Sequence, residues 1–288
     1  MANEFELSNS TIQTDEISAS VSAAFVTTDN VLPLISTEPI PAGTNVKKWR
    51  KLDKGEAQAV AESGNYSYDA DSEPEDTSVT TTAAKKAFVM KPTVESNRFG
   101  GPFGGNQRVF FEAGGAYARL AASELKTLFS SVSGSQTATS TLTRDDLIAA
   151  KRTVAASMGS AFDGRLNCLL DYKGVSELEL EAASTGASAY VSQVNLGGLL
   201  GALQAPQVAA SYLGIDIYAT DGLPTDSGDD VGCLFSPLAF CAIIDNGGFQ
   251  SAMGGLTSQG FYEEVLTWTF WDIKEWNDTA AIQIKSDT

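Results

Sequence analysis

Hydrophobic positions in residues 1–35 are sparse and single: Phe5, Leu7, Ile12, Ile17, Val21 and Phe25 stand among Ser, Thr, Asn and Ala, and no period persists. Such a segment predicts an extended N-terminal arm that becomes ordered by lying on another surface. Pro33, Pro39 and Pro41 punctuate the entry into residues 36–92. Within that stretch Val79, Thr81, Ala83, Ala87 and Val89 recur at period two in a Thr- and Val-rich run, which predicts a strand returning from a long two-stranded loop. Two strands bury little alone, so the loop is expected to lie across a further surface.

The pattern then changes period. Residues 98–106 (RFGGPFGGN) form a glycine-rich joint, and Asn106 is placed to cap a helix. Phe110, Ala113, Tyr117, Leu120, Ala121, Leu125 and Leu128 lie at helical spacing and predict one long amphipathic helix. Gly114 and Gly115 interrupt it, marking a bend or a close contact. After a Ser/Thr linker, Thr143 caps a second helix whose first turn holds Asp145 and Asp146 and whose apolar face is Leu147, Ala150, Val154 and Met158, with Gly159 as its stop. Beyond it lie shorter pieces: an apolar run at 166–170, a short helix at 196–204, an alternating strand at Leu213, Ile215 and Ile217, and a core segment at 232–244. Residues 261–273 are apolar on both faces and predict a buried central strand, and 281–285 predict a last short strand.

Charge changes the picture. The net charge is −17, and the distribution says more than the total. Five bases, Lys47, Lys48, Arg50, Lys51 and Lys54, occupy one limb of the long loop. Seven acids with no base occupy the stretch between Glu56 and Asp76, including Asp69, Asp71, Glu73, Glu75 and Asp76. A bipolar ribbon of this kind can meet copies of itself, acidic tip on basic limb, so these ten residues are the candidate inter-subunit contacts. No Lys or Arg lies between Lys173 and Lys274, so that stretch lacks the basic footprint of nucleic-acid binding.

Candidate chemistry is thin. There is no histidine, which removes Ser-His-Asp and Cys-His catalysis and His-ligated metal sites. Cys168, Cys233 and Cys241 sit in apolar surroundings and are expected as buried free thiols. Asp69, Asp71 and Glu73 imitate the opening of a calcium loop, but Pro74 stands where the turn needs glycine. Asp226, Asp229 and Asp230 predict an acidic surface loop. Trp268, Phe270, Trp271 and Trp276 have no basic patch about them in sequence and are expected to pack rather than stack on a ligand. Glu263 and Glu264 point to opposite faces of a strand and make no acid/base pair. No catalytic residue, cofactor or metal site is expected, and the short apolar runs predict neither a secretory signal nor a membrane span.

The order of these parts resembles the major capsid protein of tailed bacteriophages, with the Hong Kong 97-type fold. Residues 61–96 look like the family's extended loop and return strand, 107–129 like the spine helix of its peripheral domain, TLTRDDLIAAKRTV like the helix opening the axial domain, and 212–224 with GCLFSPLAFCAII like its late core strands. The resemblance implies an α+β fold with an N-terminal arm at 1–35, an extended loop at 36–92, a peripheral domain at 93–135, an axial α/β domain at 136–260, and C-terminal strands at 261–288 that rejoin the peripheral domain. It further implies pentamers and hexamers of one chain closing into an icosahedral shell around DNA. A separate scaffolding protein and a portal would be its partners, and assembly would take place in the host cytoplasm. The competing readings are an encapsulin-like compartment shell and a β-rich adhesin or decoration protein.

Overall fold

The computed structural model describes residues 17–26, 31–52, 76–90, 105–138, 141–159, 162–185, 190–192, 210–226, 228–254 and 264–286. In chain order they form helix α1 (17–26), a 3₁₀ turn at Leu32–Leu34, and strands β1 (Ser36–Pro39), β2 (Val46–Leu52), β3 (Asp76–Thr82) and β4 (Ala84–Met90). Next come the long helix α2 (Gly105–Phe129), β5 (Ser135–Thr137), α3 (Arg144–Met158), β6 (Leu166–Asp171) and α4 (Tyr172–Thr185). Strands β7 (Tyr190–Ser192), β8 (Ala210–Tyr212), β9 (Ile215–Thr220), β10 (Thr225–Asp226), β11 (Asp229–Phe235), β12 (Phe240–Ile244), β13 (Gln250–Gly254), β14 (Glu264–Glu275) and β15 (Ala281–Ser286) complete the order. The expected helix at 196–204 and most of the glycine-rich joint lie outside the described residues.

Two sheets organise the molecule. The first is built on β14, the strand expected to be central. Trp271 pairs with Ala84 of β4 on one side and Ile244 of β12 on the other, so β4 takes one edge while β12 and β13 share the opposite one. β1 extends β12 in parallel. Val265, Thr267, Thr269, Trp271 and Ile273 are buried on the core side, whereas Leu266, Trp268 and Phe270 are half-buried on the other. The second sheet runs β5-β15-β11-β6-β9-β8-β7, with β10 against β11. β6 and β9 pair in parallel, and α3 and α4 cover the sheet with apolar residues such as Leu147, Val154 and Leu178.

Local physics sets the helices where expected. In α3 the Thr143 hydroxyl accepts from the Asp146 amide while the Asp146 carboxylate accepts from the Thr143 amide, a reciprocal cap. Gly159 closes the helix at φ 54°. On α2, Ala113, Tyr117, Ala121 and Leu125 are buried as the spacing predicts, but Leu120 is 40% exposed. The helix begins at Gly105 and so takes Asn106 into its first turn rather than being capped by it.

Two expectations change. Residues 17–26 are helical rather than extended, because Ile17, Val21, Ala24 and Phe25 share one buried face, whose Val21, Ala24 and Phe25 meet α2 at Gly114. The sheets also cut across the expected boundaries at 260 and 261. β12 and β13 belong with β14, since its long apolar strand needs partners on both edges, and β15 leaves that sheet to pair with β11 and β5. Ile282 and Ile284 are buried there, so β15 is a core strand of the second sheet.

Candidate assembly surface

The candidate contact residues fall on the ribbon of β2 and β3, which pair antiparallel from Val46 opposite Thr82 to Leu52 opposite Asp76. Strand alternation divides the basic limb between two faces. Lys47 and Trp49 point the same way as their partners Thr81 and Val79, towards the first sheet, while Lys48 and Arg50 are exposed on the other face with Ser78 and Thr80. Lys51 and Asp76 hold their places in the ladder. Lys54, Asp69, Asp71, Glu73 and Glu75, like the tip that carries them, lie outside the described residues.

The inner face of the ribbon is anchored at its root. Trp49 is 4% exposed and packs with Ala83, Cys241 and Ile243, its ring 5.4 Å from that of Trp276. Its indole N–H donates to the Thr81 hydroxyl at 3.0 Å. Lys47 is tied down twice, by an ion pair with Glu38 of β1 and by the Trp49 ring 4.5 Å from its ammonium. Where the ribbon leaves the sheet, the Thr82 amide donates to the Asp272 carboxylate at 2.8 Å and the Ala83 amide to the Asn45 carbonyl at 2.7 Å. Lys47 is therefore committed within the chain, and Lys48 and Arg50 lie exposed on the outer face of the ribbon.

β4 carries the same root onto the spine. Lys86 pairs with Glu124 of α2, and the other oxygen of that carboxylate accepts from the Trp271 indole at 2.7 Å. Tyr117 of α2 donates its hydroxyl to the Thr267 carbonyl at 2.6 Å and meets Phe88 edge-on at 6.4 Å. Burial pushes the Tyr117 hydroxyl pKa up, so it remains a donor. Ribbon, spine helix and central strand thus form one braced unit.

None of Trp49, Thr81, Glu38, Asp272, Lys86 or Glu124 was a candidate from sequence. Trp49 alone carried a signal, a tryptophan at an alternate position within a run of bases. The tryptophan strand also gains a base from outside its own stretch of sequence, because Lys85 of β4 lies 4.7 Å from the Trp268 ring. β4 is remote from it in sequence and adjacent only in the sheet.

Other candidate residues behave as structure. Cys168, Cys233 and Cys241 are buried free thiols, and burial pushes the Cys241 pKa up to about 12. Asp226 and Asp229 face each other across the β10–β11 hairpin, and Asp226 pairs with Lys285 at 2.5 Å. Among the described residues no cluster of Cys, Asp and Glu is arranged to hold a metal ion, and no helix is long and apolar enough to cross a membrane.

No protein-family profile matches the sequence, and no curated protein is similar to it in sequence. Solved structures are similar in fold. The capsid of cyanophage P-SCSP1u superposes with a TM-score of 0.60 at 11% identity, covering 88% of this chain and 87% of the other. The capsid of Ralstonia phage GP4 gives 0.62 at 10% identity, again over 88% and 87%. The SrpI encapsulin of Synechococcus elongatus PCC 7942 gives 0.54 at 12% identity, over 89% and 87%. The chain has the fold of phage capsid shells.

Proposed function

We propose that this chain is a major capsid protein, assembling as pentamers and hexamers into an icosahedral shell that encloses phage DNA. The observation that carries the reading is a capsid fold running through 88% of the chain with no large part left over. The braced ribbon supports it. A projecting limb fixed at its root and carrying exposed bases on its outer face has no core of its own to cover, but it can lie on the acidic surface of a neighbouring copy. The net charge of −17 supports it too, since a container for packed DNA benefits from an inner surface that does not grip phosphates. A separate scaffolding protein and a portal complete the proposed set of partners.

The likeness to an encapsulin favours a second reading, a shell that stores a protein cargo. Electron microscopy of the expressed protein, alone and with the scaffolding candidate from its own genome, tests the first claim: closed shells or ring-shaped capsomers are expected. A chain that stays monomeric under both conditions overturns shell formation. The contents of shells purified from the native source, packaged DNA or a stoichiometric enzyme, separate the two readings.

A further inference from the structure

Strands β8 and β9 are joined by a turn of two residues, Leu213 and Gly214, since Tyr212 pairs directly with Ile215. Both sit at positive φ, 49° and 78°, and Asn, Asp or Gly fills the first position of such a turn at least cost. Leu213 is the one non-glycine residue at positive φ among the described residues, and it is 54% exposed. A leucine here strains the backbone and wets an apolar side chain, so neither the turn nor the core accounts for it. The turn is held stiffly. Lys151 of α3 donates to the Leu213 carbonyl, and the Leu166 amide donates to the Gly214 carbonyl at 3.3 Å. Beside it Arg165 is exposed, while Asp163 turns its carboxylate back onto the Arg165 amide at 3.0 Å. The second sheet thus carries a braced apolar tip with a base at its foot.

A second surface left over by the fold lies on α4. Tyr172 is 62% exposed and Leu180 71%. With Ser176 and Glu179, which are exposed too, they make one side of the helix. Glu177 and Glu181 are used within the chain, the first accepting from the Leu142 amide at 2.7 Å and the second pairing with Arg144. Glu179 is therefore the carboxylate that this side turns outwards, opposite in sign to the base beside the tip. Leu213 and Tyr172 lie at opposite ends of the sheet. Leu213 precedes β9 where the parallel β6 begins, and Tyr172 follows the last residue of β6, about 20 Å further on.

We propose that the Leu213 tip of one copy seats on the Tyr172–Leu180 side of α4 in a neighbouring copy, with Arg165 against Glu179. The contact joins two different surfaces, so it is heterologous and closes into a ring where the rotation between copies allows. It rests on the capsid reading and assigns the capsomer a contact made by the second sheet rather than by the ribbon.

Two variants of the full chain test it. Leu180→Cys with Leu213→Cys is oxidised under assembly conditions, the native cysteines being buried. A ladder of linked copies is expected on a non-reducing gel, while either single variant stays unlinked. Leu213→Asn suits the turn better than leucine does, so it should melt no lower than the parent. It should nevertheless need about ten-fold more protein to form capsomers. Three results would overturn the docking and leave the capsid reading standing: capsomers or shells without those links, a link confined to single chains, or a Leu213→Asn variant that assembles like the parent. A Leu213→Asn variant that melts lower than the parent would give the leucine a structural role and overturn it as well. A parent that stays monomeric even with its scaffolding candidate removes the capsid reading, and this contact with it.

Discussion

Gly114 sits where α1 crosses α2, and a Cβ there would stand 2.4 Å from the Ala24 Cβ, 2.6 Å from the Val21 carbonyl oxygen and 2.8 Å from the Phe25 amide nitrogen. Alanine is ordinarily the better helix former by about 1 kcal/mol, so the sign of Gly114→Ala is informative. Two of the three contacts are backbone and cannot turn aside, and a loss of about 1–3 kcal/mol is expected in urea unfolding. A second change at Ala24 should restore little of it. Glu275 provides a pH signature. Burial raises its carboxyl pKa above the ordinary 4.5 and the neighbouring Asp278 carboxylate adds to the rise, while a hydrogen bond from Ser131 opposes it. The folded state therefore holds its proton more firmly than the unfolded chain. The resulting penalty is absent below about pH 4.5 and grows as pH climbs through the raised value. Thermal melts of Glu275→Gln against the parent should converge at the acid end of that window and diverge above it, with the variant the more stable. A parent that lost stability towards the acid end faster than the variant would refute this assignment.

At the scale of elements, the legible part of the sequence was local. The α3 cap needs Thr143 and Asp146 three residues apart, and the central strand shows in its own twelve residues. The spacing of Ile17, Val21, Ala24 and Phe25 was equally visible, but Ser-rich, β-branched surroundings masked a helix that is stabilised by α2 rather than by its own propensity. The hidden part is long-range. Nothing local tells Lys47 that Glu38 is across from it, Trp271 that Glu124 will accept its N–H, or β15 that its partners are β5 and β11. The candidate site was legible as a charged loop, and its division into an anchored inner face and a presented outer face was not, because alternation has meaning only once one face has a surface to lie on. The anchor makes a prediction. Trp49→Ala should cost about 3 kcal/mol at the ribbon root, read as roughly hundred-fold faster amide exchange in β2 and β3. Exchange in β6, β9 and β11 of the second sheet should not change.

For the whole molecule the outward bases are the part to test. Lys48→Glu is expected to slow shell assembly, most visibly at low ionic strength, while the unassembled chain keeps its circular dichroism spectrum and melting temperature. Light scattering during assembly reads the effect. Shells forming at the parental rate would remove electrostatics from the proposed role of the ribbon. Reversing Lys47 as well would confuse the result, since that residue also holds Glu38 and the Trp49 ring within the fold.

The parallel pairing of β1 with β12 has a consequence for how the protein is made. The Ser36 hydroxyl donates to the Pro237 carbonyl, 201 positions further along. At ordinary translation speeds roughly 10–40 s pass between the emergence of the two. Throughout that interval the ribosome has delivered the ribbon strands and the spine helix without the strands that brace them. The first sheet therefore cannot close on a half-made chain, and its apolar surfaces stay open to chaperones, or to aggregation, until β14 has arrived. A nascent copy has no finished ribbon root to offer a neighbour, and synthesis itself delays the start of any shell.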